Sequence, residues 1–110
     1  MSHHYILQGT VAVPVDDGVA WARYFESADR IVAQTTVTED VIVSTVFLGL
    51  NHQFGDGPPL LFETMVFGGP LDQAQARYPT WHEAEQGHEA MCARVREVLS
   101  APEAPAEEGP

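Results

Sequence analysis

The sequence predicts an α+β fold: a small antiparallel sheet with two helices, in the order β-α-β-β-β-α. Three observations carry the prediction. Two β-branched runs, Ile31–Thr38 and Val41–Leu50, are separated by the polar pair Glu39-Asp40. A further apolar run, Leu60–Phe67, is closed by Gly68-Gly69-Pro70. Apolar residues recur at helical spacing in two segments, Val19–Ala28 and Trp81–Leu99.

Taken in order, residues 5–15 read as a first strand. Val11, Val13 and Val15 alternate with smaller residues, Gly9 suggests a bulge and Pro14 an edge position. Asp16-Asp17-Gly18 breaks this strand and offers a helix cap. The helix that follows places Trp21, Tyr24, Phe25 and Ala28 on one heavy aromatic face. Ile31–Thr38 and Val41–Leu50 then form a hairpin, whose turn type is open because no glycine follows Asp40. Its second strand is apolar on both faces, Val41, Val43 and Phe47 on one and Ile42, Val46, Leu48 and Leu50 on the other. That pattern predicts a central strand covered on each side. Asn51–Pro59 form a loop, and Leu60–Phe67 the next strand.

The last helix carries the strongest signals. Thr80 is an N-cap candidate and Glu83 follows at the capping-box spacing. Trp81, Ala84, His88, Met91, Val95 and Val98 recur at three- and four-residue steps as one stripe. Gly87 within it costs about 1 kcal/mol relative to alanine and lets a neighbour pack closely. From residue 101 the chain is a proline-punctuated acidic tail without periodic apolar residues, predicted to be disordered, which leaves residues 1–100 as one domain.

Composition narrows the function classes. Of 110 residues, 45% are hydrophobic, as in a folded globular chain. Sixteen acidic residues face five arginines and no lysine, for a net charge of −11. So few cations argue against direct nucleic-acid binding, which depends on displacing counterions from phosphates, and equally against docking on anionic membrane. Attraction to a basic protein surface is permitted, over roughly 8 Å at physiological salt. Cys92 stands alone, so no internal disulfide exists, and it reads as a small buried hydrophobe on the last helix. No basic-plus-apolar leader and no run of about 18 apolar residues is visible, so the expected location is a reducing cytoplasm. No motif calls for a cofactor.

Three groups of residues could carry chemistry. His82, Glu85 and His88 follow one another at three-residue steps, as metal ligands on a helix can. The two histidines, however, point about 120° apart and sit almost two turns distant, so one ion could not hold both. The loop from Asn51 to Pro59 is glycine-rich, yet Pro58 and Pro59 remove N–H donors, Asp56 adds negative charge and a strand follows, all of which disfavour a phosphate cradle. The same loop presents Asn51, His52, Gln53, Phe54 and Asp56, a polar-aromatic set suited to recognising a protein partner. Third, the strands carry polar pairs at Ser44-Thr45 and Glu63-Thr64, and a buried Glu63 would need Arg30 or Arg77 as partner.

The block from Ser44 to Pro70 (STVFLGLNHQFGDGPPLLFETMVFGGP), with Trp21–Arg30, Tyr78–Glu83 and Gly87-His88, resembles a family of short phage and prophage proteins across residues 5–98. The resemblance implies a bacterial host cell as the setting and implies no catalytic role. Asn51 departs from that family, where aspartate looks more usual, so a carboxylate is not required at this loop position. Two readings follow. The favoured one is an accessory protein acting by protein–protein binding through Asn51–Asp56. The other is a small hydrolase or nucleotide-processing enzyme using His52, Glu63 and His88, which requires those three side chains to converge in a cleft.

Overall fold

The computed structural model describes residues 3–53 and 55–101. Where one strand was expected over residues 5–15, the chain folds as two, β1 (His4–Gln8) and β2 (Val11–Val15), paired antiparallel in a hairpin. Gly9 is the reason. It takes φ 65° at the first of two central positions, the geometry of a type II′ turn, so it reverses the chain rather than bulging it. Pro14 does sit on an edge, since among the described strands β2 pairs only with β1.

Helix α1 (Gly18–Ser27) starts where Asp17 Oδ1 accepts the N–H groups of Val19 and Ala20, at 2.9 and 3.2 Å. Strands β3 (Ile31–Thr38), β4 (Val41–Phe47), β5 (Phe62–Phe67) and β6 (Gln75–Tyr78) form one antiparallel sheet in that order. The Glu39-Asp40 turn joins β3 to β4, with Thr38 paired to Val41. Strand β6 lies in what reads as a polar stretch. With four residues, two of them alanine and tyrosine, it has little intrinsic signal and exists by pairing with β5, Glu63 opposite Arg77 and Thr64 opposite Ala76.

Helix α2 (Trp81–Ser100) packs across all four strands. Thr80 caps it as the spacing predicts: its hydroxyl accepts the Glu83 N–H at 3.1 Å and donates to the Glu83 carboxylate at 3.2 Å. Gly87 is needed because Tyr78 lies against it, so that a Cβ there would overlap the phenol ring. The helix buries Ala84, His88, Met91 and Val95 of the predicted stripe together with Cys92, while Trp81 and Val98 at the stripe's ends are half-buried.

The core has two parts. Val41, Val43 and Val66 of the sheet meet Met91, Cys92 and Val95 of α2. Phe47, Leu61, Phe62 and Ala84 form the second part, with Tyr5, Leu7, Tyr24, Phe25 and Trp81 around it. An unbroken series of rings, Trp21–Phe25–Phe47–Phe62–Trp81, joins α1 to the start of α2 with centroid separations of 4.4, 6.3, 5.2 and 6.2 Å. The hairpin and α1 are thereby fastened to the sheet by aromatic contacts worth about 0.5–1.5 kcal/mol each beyond the area they bury.

One expectation is overturned. Strand β4 is central, but it is covered on a single face: Val41, Val43, Thr45 and Phe47 are buried, whereas Ile42, Ser44 and Val46 are only partly so. The partial burial of its second face comes from the flanking strands, and among the described residues no second layer packs on it. The predicted tail lies, from residue 102 onward, outside the described residues.

Candidate functional site

The loop after β4 is built around one side chain. Asn51 Oδ1 accepts the N–H of Gln53 at 2.8 Å and of Leu60 at 3.2 Å, closing the two ends of the loop on each other. The backbone adds His52 N–H to Leu60 O and Asn51 N–H to His3 O, both at 3.1 Å. Gln53 Nε2 donates to Pro58 O at 3.1 Å across the loop. Asn51 and Gln53 therefore use their polar atoms to hold the loop in shape. His52 is half-buried and Asp56 exposed, while Phe54 lies outside the described residues.

Two concavities flank this loop. The first, of about 600 Å³, is lined by His3, Tyr5, Asn51, Gln53, Asp56 and Pro59 among others. The second, of about 330 Å³, lies between the β1–β2 turn and the start of α2, where Tyr5, Val11, Pro59, Leu61, Pro79 and Trp81 give it an apolar wall. Tyr5 and Pro59 line both, so the two adjoin along the loop's C-terminal arm. The polar half was legible in the sequence. The apolar half was not, because Tyr5, Val11 and Trp81 come together only through the pairing of β1 with β2 and the seating of that hairpin beside α2. The one local signal was Tyr78-Pro79-Thr80-Trp81, which marks a helix start equally well.

A second polar arrangement is enclosed between sheet and helix. His88 is 1% exposed, and its Nδ1 lies 2.8 Å from Thr45 Oγ1 while its Nε2 lies 2.9 Å from Thr35 Oγ1. Thr45 in turn shares a 2.5 Å hydrogen bond with Thr64, directly opposite it on β5. Burial holds the His88 pKa below the ordinary 6.5, partly offset by the nearby Glu89 carboxylate. The polar pairs singled out in the strands are thus resolved by alternation: Thr45 and Thr64 point into the core, and Ser44 and Glu63 point out of it.

Glu63 is paired with Arg77, whose Nε lies 2.9 Å from the carboxylate. Arg30, the other candidate, instead lies over the Phe25 ring at 4.6 Å and donates to Phe47 O. Glu63 and His88 are consequently on opposite faces of one sheet, and His52 is in the loop beyond β4. The three side chains that the enzyme reading needs are not brought together. On α2, His82 and Glu85 face solvent while His88 is buried, so the helix histidines diverge as their spacing requires. Among the described residues no group of three or more His, Cys, Asp or Glu side chains is placed to hold a metal ion. Nor is any described helix long and apolar enough to cross a membrane.

No protein-family model, curated protein or solved structure matches the chain.

Proposed function

We propose that this chain is a protein-binding module, an accessory protein of a phage or prophage that captures an extended segment of a partner protein in the paired concavities beside the 51–59 loop. The observation that carries this reading is their adjacency: an apolar wall of Tyr5, Pro59, Pro79 and Trp81 runs directly into a polar cavity rimmed by Asn51, Gln53 and Asp56. Apolar anchoring beside a few fixed polar groups is the make-up of a recognition site. The loop is already held by its own hydrogen bonds, so little ordering entropy is lost on binding. Partner residues with basic side chains suit the exposed Asp56 carboxylate and the chain's net charge of −11.

The test is selection of binding peptides from a random displayed library, followed by NMR mapping of the selected peptide on the intact chain. The reading expects shifts concentrated on Tyr5, His52, Gln53, Asp56 and Trp81, and a loss of affinity of about tenfold or more in Trp81→Ala with the fold retained. Failure to enrich any sequence, or shifts that map to the outer side of α2, would refute it.

A further inference from the structure

We infer that the sheet face turned away from α2 is the contact surface of a homodimer. The register of the four strands assigns that face residue by residue. One row across the sheet is Ile31, Val46, Glu63 and Arg77; the next is Gln34, Ser44, Met65 and Gln75; the third is Thr36, Ile42 and Phe67. No described element packs on it: α2 takes the opposite face, and α1 lies against β1 and β2 and reaches the sheet through Phe25 on Phe47, a residue of that opposite, buried face. Ile31 is 50% and Phe67 49% exposed, two of the largest apolar side chains left open to solvent. An antiparallel sheet can present one face to water, but such a face alternates to polar residues. Here five of its eleven residues are Ile, Val, Met or Phe, and they are contiguous.

Charge indicates what covers it. The face carries only two charged residues, Glu63 and Arg77, and they neutralise each other through their 2.9 Å ion pair. The acidic residues of the described chain lie elsewhere, with Glu83, Glu85, Glu89 and Glu97 exposed on α2. A basic partner would therefore gain nothing on the sheet face. A second copy of this acidic chain meets no like charge there, and the sheet face is where two copies can join with their acidic helices pointing apart.

Shape agrees. A two-fold axis running along the strands between β4 and β5 sets Ile42 over the partner's Phe67, apolar on apolar, and the small Ser44 over the partner's Met65. Strand spacing and rise give a face of roughly 20 by 19 Å. Taken as flat surfaces, two such faces bury roughly 760 Å² between them, below the ~1,200 Å² at which standard interfaces begin, so the dimer is a weak one with Kd in the upper micromolar range. Salt distinguishes this arrangement from most charged interfaces. Two copies of net charge −11 repel at long range, so screening should tighten the dimer.

Sedimentation velocity on the full chain tests the inference. A monomer–dimer equilibrium in the upper micromolar range is expected, with Kd falling several-fold as NaCl rises from about 50 to about 500 mM. Phe67→Glu should be monomeric at all these concentrations with an unchanged thermal transition, because the ring is half-exposed. Ser44→Arg, a second insertion of charge into the same face, should do the same. His52→Ala and Trp81→Ala should leave the equilibrium intact, which separates this surface from the proposed peptide site. A wild-type chain that stays monomeric at about 500 μM protein in the high-salt buffer overturns the inference, and so does a dimer that survives both charge insertions.

Discussion

The two ring nitrogens of His88 bridge two strands, Nδ1 to Thr45 on β4 and Nε2 to Thr35 on β3. A histidine on one apolar helix stripe thereby becomes the polar clasp between helix and sheet. Thr64 extends the clasp to β5, so one helix side chain organises hydroxyls from three strands. A neutral imidazole has one donor and one acceptor, which this arrangement satisfies. Each member is buried or half-buried, so each has a high cost of being left unpaired.

The pH dependence of stability follows from the lowered His88 pKa. With the folded value below the unfolded value of 6.5, both states are neutral above that pH and the clasp contributes fully. As the pH falls through the unfolded value, the unfolded chain takes up the proton first, so stability declines until the folded pKa is passed. Chemical denaturation at stepped pH values between about 8 and about 5 should show this decline, and it should flatten in His88→Gln. NMR titration should place the His88 midpoint below 6.5; a midpoint above it would contradict the burial argument.

Removing the Thr45 hydroxyl isolates the clasp. Thr45→Val keeps the shape but strips His88 Nδ1 and Thr64 Oγ1 of a shared partner. A loss of about 1–3 kcal/mol is expected from leaving a buried polar group unsatisfied. Urea denaturation measures it, and a change below about 0.5 kcal/mol would mean that His88 and Thr64 find other partners. Thr36→Val, on the open face of the neighbouring strand, is the control and should be near neutral.

Which parts of this molecule were legible in the sequence follows from what each depends on. Helix α2 was readable to within a residue because Thr80, Glu83 and the Trp81-to-Val98 stripe are local signals that agree with its tertiary burial. The β3–β4 hairpin was readable for the same reason. Strand β6 was not, because its four residues gain their conformation from β5. The β1–β2 hairpin was missed because a glycine inside an alternating run signals a bulge and a reversal equally, and only the positive φ at Gly9 decides. At the candidate site, the loop residues were recognised but Asn51 and Gln53 turn inward to hold it, a role set by Leu60 and Pro58 nine and five residues away. The groove beside them depends on Tyr5 and Trp81, which are far apart in sequence and are joined by folding alone.

Gly87 offers a case where two effects oppose. In a helix interior Gly87→Ala should stabilise by about 1 kcal/mol on intrinsic preference. The added methyl, however, overlaps the Tyr78 ring, at the junction of β6 and α2. Overpacking of this kind costs about 1–3 kcal/mol, so the net effect should be destabilising. Gly87→Ala combined with Tyr78→Ala should recover part of the loss measured for the two substitutions separately. A more stable Gly87→Ala single variant would mean that the ring moves aside freely.

Asn51 gives the sharpest test of how the loop is held. Its Oδ1 accepts two backbone N–H groups, one near and one nine residues on, and it fixes the spacing of the loop's two arms. Asn51→Ala removes both bonds at once and should lower stability by about 1–2 kcal/mol. Amide exchange should accelerate at Gln53 and Leu60 and stay unchanged at Val43 and Val66 in the sheet. Asn51→Asp should behave otherwise, because a carboxylate oxygen accepts the same two donors, and stability close to wild type is expected at neutral pH. That pair of variants separates an acceptor role from a requirement for the amide itself. If Asn51→Asp loosened the loop as much as Asn51→Ala, the side-chain NH2 would be the essential group and the loop's frame would have to be assigned to a different bond.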